Sequence, residues 1–389
     1  MSQSSSILSF DQVAKEIKST PAPPTHFLDE LVGPVSAELN PYKQAHLPPD
    51  LLDLLPPDGS TFGLFSDPYA TLRYINPFDT GARNGKYWLE ARLEDHSFST
   101  REIKLLEFLS QHRLATRYQI QRIIFSDDAR KDTISKFLKV CIQRGIICNF
   151  SWVSPLDDGR KKPRVYALTK HGAKAAESLF HRVVPDEFRF HPVDFSIAVP
   201  PNMYNFFIDL SANELYTELH RIDRVISWKR SSPIRCEDGS MFFPGAEFTV
   251  IKDANEFRNF WLEVCRTGRD WINKTKSRFR RTQDAYTKIP FHMRPVRLII
   301  IADADSRIPL LGEMANHYMP DINVLFTTDE RLLKGIDDDT FLSWRHDTQS
   351  IKVSRISFLK EDYEGMKASE YFASQQLLIE DDDDFYDEE

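Results

Sequence analysis

Only four of the 389 residues are cysteine, at 141, 148, 236 and 265, and no Cys-x2-Cys pair occurs. That spacing excludes a disulfide framework and a cysteine-rich zinc site, and the four are expected to be buried thiols. Glycine is also scarce, at 14, and none lies in a Gly-x4-Gly-Lys-Ser/Thr loop, which excludes a P-loop ATPase. Histidines stand singly, so the His cluster of a relaxase metal site and a tyrosine nucleophile marked by it are missing. No run approaches the roughly 18 uninterrupted apolar residues of a membrane span. The first ten residues lack the basic and apolar regions of a secretory leader, so a cytoplasmic protein without membrane contact is expected.

Positive charge is in deficit overall, 50 Lys+Arg against 58 Asp+Glu, a net of −8. Its distribution carries more information than its total. Residues 97–182 hold 17 Lys+Arg against 8 Asp+Glu, whereas residues 353–389 hold 3 against 12. A compact basic block in an acidic chain is the electrostatic footprint of a phosphate-bearing partner.

The pattern divides the chain into four parts. Residues 1–96 are rich in proline and read as a partly ordered arm, with Tyr69–Ile75 and Lys86–Leu93 as strands leaning on a neighbouring domain. Residues 97–182 show helical periodicity. Ser99 with Glu102 and Thr116 with Gln119 are capping-box pairs that start two helices, and Ala129–Arg144 is a third, closed by Gly145. Ile146–Val153 and Val165–Leu168 then form a hairpin across a basic turn, and Lys170–Phe180 is a closing helix. Three helices, a hairpin and a helix make a winged helix.

Residues 183–352 alternate differently. Helices are expected at Leu210–Arg224, Asp270–Lys288 and Leu310–His317, and strands at Val225–Trp228, Met241–Val250, Asn259–Val264, Val296–Asp303 and Asn323–Thr328. That order describes an α/β domain with a mixed central sheet. Residues 353–389 end in the acidic run Glu380–Glu389, which self-repulsion is expected to keep disordered.

Two constellations carry chemistry. The outward face of the third helix bears Arg130, Lys131, Thr133, Lys136 and Lys139, and the hairpin turn bears Arg160, Lys161, Lys162 and Arg164. Such side chains reach base edges and phosphates from a helix in the major groove and a wing beside it. The second is Glu263, a lone acid in the apolar strand Phe260–Cys265, preceded by Pro244 at a strand opening. Paired acids on adjacent strands would hold Mg²⁺, with a lysine to activate water.

The stretches Lys104-Leu-Leu-Glu-Phe-Leu109, Gly145-Ile-Ile147, Tyr166-Ala-Leu-Thr-Lys-His-Gly172 and Trp261-Leu-Glu-Val264, with a basic helix after them, resemble the replication-relaxation family of plasmid and mobile-element proteins over residues 97–345. The resemblance implies a winged helix-turn-helix followed by a degenerate restriction-endonuclease-like α/β domain, acting in plasmid replication, DNA relaxation or mobilisation. Against the PD-(D/E)xK pattern, Pro244 matches, Gly245 stands where the acid should be, Glu263 matches the second acid and Cys265 replaces the lysine. Glu247 or Glu214 could supply the missing acid and Lys274 or Lys276 the missing base. The long helix adds Lys276, Arg280 and Arg281 as DNA contacts.

The preferred expectation is a DNA-binding protein without cleavage and without a cofactor. A metal-dependent nickase using Glu263, Glu247, Lys274 and Mg²⁺, and a winged-helix transcription regulator, are the alternatives. Double-stranded DNA is the expected partner, with replication or mobilisation proteins and a second copy of the chain as further ones.

Overall fold

A computed structural model describes residues 33–75, 81–126, 128–190, 200–254 and 256–383. After a short helix α1 (Leu51–Leu54) and strand β1 (Thr71–Tyr74) come helices α2 (Gly81–Glu94) and α3 (Thr100–His112), strand β2 (Leu114–Thr116), and helices α4 (Arg117–Ile124) and α5 (Lys131–Gln143). Strands β3 (Ile147–Val153) and β4 (Val165–Leu168) and helix α6 (Lys170–Phe180) complete the first unit. The four strands form one antiparallel sheet in the order β1-β3-β4-β2.

Local sequence explains these starts and stops. Both capping boxes form, with Ser99 and Glu102 exchanging hydrogen bonds at the start of α3 and Thr116 and Gln119 doing so at α4. Gly145 takes φ 73° just past α5, the left-handed conformation that ends a helix. The expected strand at Lys86–Leu93 is instead part of α2. Leu89 and Leu93, four residues apart, fall on one helical stripe, with Leu89 buried among the helices and Leu93 packed against them. The same turn brings Arg92 to Glu102 at 2.9 Å.

The second unit begins with helix α7 (Tyr204–Arg221), followed by strand β5 (Val225–Arg230), the small pair β6 (Ile234–Arg235) and β7 (Met241–Phe242), and strands β8 (Ala246–Asp253) and β9 (Glu256–Val264). Helix α8 (Trp271–Lys288), strand β10 (Arg297–Ala302), helix α9 (Ile308–Tyr318), strand β11 (Val324–Thr328) and the short helix α10 (Asp329–Leu332) follow. Strands β12 (Leu342–Arg345) and β13 (Ser350–Val353) and helix α11 (Ala368–Asp383) end it. The seven-stranded sheet runs β13-β12-β11-β10-β9-β8-β5, with β9, β10 and β11 parallel and every other pairing antiparallel. This is the mixed sheet expected from the sequence.

Three expectations are corrected here. The strand expected at Met241–Val250 is broken: Pro244 and Gly245 separate β7, which pairs with β6, from β8. Proline cannot donate to a ladder, so the pairing ends there. Residues 380–383 belong to α11, not to a disordered tail, and 384–389 lie outside the described residues. Of the proline-rich stretch, residues 33–75 are built into the fold, and residues 1–32 and 76–80 lie outside the described residues. Tyr42, Leu51, Leu54, Leu55 and Phe62 are buried with α8 and α9 on one face of the large sheet, and β1 joins the small sheet.

Helix α7 joins the two units. Its first half, Phe206, Phe207 and Leu210, covers the face of the small sheet that carries Phe150 and Trp152. Its second half, Ala212, Leu215 and Leu219, covers the large sheet over Phe248, Phe260 and Ile299. A helix buried on nearly every face must satisfy its polar groups inside the protein. Asp209 receives Arg113 at 2.8 Å and Arg230 at 2.6 Å, and Glu218 receives Arg122 at 2.6 Å.

Candidate nucleic-acid interface

The first unit has a groove of about 720 Å³ between α5, the start of α4 and the loop from β3 to β4. Ser135, Lys139 and Gln143, four residues apart, form one edge along α5, and Leu138 and Ile142 line it beside them. Lys161, Lys162 and Arg164 supply the opposite edge from the hairpin loop. Arg117 and Tyr118 close one end: the capping box at Thr116 fixes the helix start, so these first two residues of α4 project outward. Tyr118 is 50% exposed and the Arg117 guanidinium lies 5.0 Å from its ring centre. Five cations line the groove, and no acid is among the described residues that line it. Such a surface attracts phosphates, and an exposed tyrosine beside an arginine offers a stacking face.

Of the residues read from the sequence, Lys139, Lys161, Lys162 and Arg164 are brought together. Lys162 also pairs with Asp158, which holds the loop in shape. Arg130, just before α5, and Lys131, Thr133 and Lys136 on it are exposed but outside the groove lining. Arg160 turns away. It pairs with Asp158 and with Glu330 of α10 and donates to the Phe62 carbonyl, so it fastens the loop to the second unit. Leu156 is buried with Tyr42 and Phe62, and Asp157 N–H donates to Gln44 at 2.9 Å. Arg117 and Tyr118 were missed in the sequence reading, although the Thr116 to Gln119 cap was the signal that would have found them.

The second constellation lies where β9 leaves the large sheet. Glu263 lines a cleft of about 270 Å³ with Tyr204, Gly245, Lys274, Arg278 and Arg281. Its side chain is 9% exposed. Gly245 N–H donates to Glu263 Oε1 at 3.2 Å, and Arg278 donates both to the same oxygen and, at 2.6 Å, to the Phe243 carbonyl. Gly245, just before β8, sits beside Glu263, where a paired acid would stand. A Cβ there would come within 2.6 Å of the Leu262 carbonyl oxygen, so the backbone has no room for an acid at that position.

The proposed substitutes are elsewhere. Glu247 stands two residues along β8, opposite Trp261 and Lys229, and does not line the cleft. Glu214 is 1% exposed and held by Arg122 and Gln119 of α4; burial pushes its pKa up despite the arginine. Cys265, at the lysine position, is half-buried rather than buried as expected; desolvation of its thiol pushes the pKa up to about 12, with Glu263 adding to the shift. Lys274 does reach the cleft, exposed, with its amine on the Arg269 carbonyl at 3.1 Å. Lys276 and Arg280 are on other sides of α8, Arg280 lying 4.8 Å from the ring centre of Tyr318. Arg266, between β9 and α8, is buried and paired with Asp329 at 2.6 Å.

These residues do not fit a divalent metal ion. Mg²⁺ sites of this type take more than one carboxylate oxygen, and here the single acid already accepts from an amide and a guanidinium. Among the described residues no group of three His, Cys, Asp or Glu stands together to hold one. No helix among them is long and apolar enough to cross a membrane.

The chain matches no protein-family model, no curated protein and no solved structure.

Proposed function

We propose that this protein binds double-stranded DNA through the groove between α5, α4 and the hairpin loop, and that it does not cleave the DNA. In this reading the first unit is a winged helix, with α5 as the helix that enters the major groove and the loop as its wing. The second unit is a restriction-endonuclease-like domain without a working site. The observation that carries the reading is the groove: five cations from three separate segments converge on one concavity lined by no acid among the described residues. Replication, relaxation or mobilisation of a plasmid or other mobile element is the process this reading assigns to it.

Fluorescence anisotropy with a labelled duplex tests the proposal. Lys139→Ala with Lys161→Ala is expected to weaken binding and to lower the slope of log affinity against log salt by about 2, one unit per lost phosphate contact. An unchanged slope removes the groove from the interface. Supercoiled plasmid incubated with the protein and Mg²⁺ is expected to stay supercoiled after deproteinisation. Nicked product that survives this treatment, and is lost with Glu263→Ala, would make the protein a nuclease.

A further inference from the structure

Five cations, Arg230, Arg266, Lys274, Arg278 and Arg281, line the cleft at Glu263, and Glu263 is the one acid among its lining residues. They are not equivalent. Arg266 is spent on Asp329 and Arg230 on Asp209, both inside the protein. Arg278 is spent in part on Glu263 while remaining 25% exposed. Lys274 and Arg281 are exposed and pair with no carboxylate among the described residues; their described bonds go only to carbonyls of their own helix region. Residues 274, 278 and 281 recur at four and three, so they share one face of α8 and point their charges into the same space.

We propose that this cleft is a metal-independent binding site for a phosphodiester group, in which the Arg278 guanidinium takes the cation position beside Glu263 and Lys274 and Arg281 hold the phosphate oxygens. Two features support it together. Gly245 closes off the place where a second acid would complete a metal site, and Arg278 neutralises the acid that remains. A guanidinium offers a planar fork of donors that suits phosphate oxygens, and unlike a bound metal it brings no activated water. The cleft therefore grips a DNA backbone without the means to cut it. Glu263 in this arrangement is a positioning residue: it holds Arg278 in place and lowers the positive field the phosphate meets.

The inference rests on the DNA-binding reading, and one set of titrations separates the two. Labelled duplex is titrated with the full chain over a salt series, once with EDTA and once with Mg²⁺ at matched ionic strength. Lys274→Ala with Arg281→Ala, both exposed positions, is expected to reduce the salt slope by about 2, equally with and without Mg²⁺. Glu263→Gln is expected to raise affinity, because it removes a negative charge from the cleft; a metal site would instead lose Mg²⁺-dependent affinity. Unchanged binding by the Lys274/Arg281 variant, alongside weakened binding by the Lys139/Lys161 variant, overturns this inference and leaves the groove intact. A loss of affinity in Glu263→Gln confined to Mg²⁺ also overturns it. Absence of duplex binding by the wild-type chain overturns both.

Discussion

His112 at the end of α3 and Asn213 in the middle of α7 face each other with 3.1 Å between Nδ1 and Oδ1. The Asn213 amide nitrogen also donates to the carbonyls of His112 and Leu114 at 3.0 and 2.7 Å. Since that nitrogen is committed as a donor, Oδ1 must accept, and His112 carries its hydrogen on Nδ1. One side chain thus satisfies three groups of the neighbouring unit. Asn213→Leu, similar in size but without donors, is expected to cost about 3 kcal/mol or more, because each unpaired buried group costs about 1–3 kcal/mol. Urea denaturation checks this; a loss under about 1 kcal/mol would show that the pair does little to hold the units together.

The same histidine predicts a pH dependence. Burial holds its pKa down, from 6.5 to about 3. Between those values the unfolded chain binds a proton that the folded chain refuses, so stability is full above about 6.5 and falls as pH drops, by at most about 1.4 kcal/mol per pH unit. Glu214 and Asp329 act in the opposite sense, since burial raises their pKa values. The histidine is therefore isolated by comparison: His112→Gln is expected to show a flatter decline between pH 6.5 and 4 than the wild type. Parallel curves would exclude His112 as the source.

Arg122 holds Glu214 and Glu218 on α7 at once. Removing the arginine leaves the buried Glu214 without a cation, while Glu218 keeps Arg221 at 3.1 Å, and Arg122→Ala is expected to cost about 3–5 kcal/mol. Pairing Arg122→Met with Glu214→Leu is expected to recover a large part of this, because the buried charge goes with its partner. Thermal melting of the two variants decides the matter, and equal losses would contradict it.

An acid placed at position 245 is not expected to confer cleavage. In Gly245→Asp the new Cβ meets the Leu262 carbonyl, so a loss of about 1–3 kcal/mol is expected from crowding. The variant should still leave supercoiled plasmid intact in Mg²⁺. Cleavage by Gly245→Asp would show that the strand can shift and that Arg278 gives way to a metal.

Arg160 fastens the hairpin loop to α10 and to the Phe62 carbonyl instead of serving the groove. Arg160→Ala is expected to change global stability by less than about 1 kcal/mol, as a half-exposed pair warrants, but to speed tryptic cleavage after Lys161 by loosening the loop. Cleavage at the wild-type rate would mean that Leu156 and Gln44 hold the loop without it.

Much of this fold was legible in the chain because its signals are local. Capping boxes at Ser99 and Thr116, the glycine after α5 and the apolar run of β10 depend on residues within a few positions of one another, and the structure follows them. Lys86–Leu93 misled because eight residues holding Tyr, Trp and Leu satisfy a strand as easily as a helix; the contact of Arg92 with Glu102 and the burial of Leu89 settle it. Cationic residues were found by type, but type does not say which way they turn. Lys139 and Arg164 face the groove while Arg160 and Arg266 serve as internal ties.

The sequence by itself determined most of the helices and strands between residues 100 and 328, the two helix caps, the mixed sheet and the basic character of the first unit, since propensity, capping and charge act over short distances. Only the tertiary structure decided that α7 is shared by both sheets, that Tyr42, Leu51 and Phe62 of the proline-rich stretch belong to the core, and that Glu263 is paired with Arg278. Those facts depend on side chains tens of residues apart competing for the same buried space, where an acid must find its cation or not be buried at all.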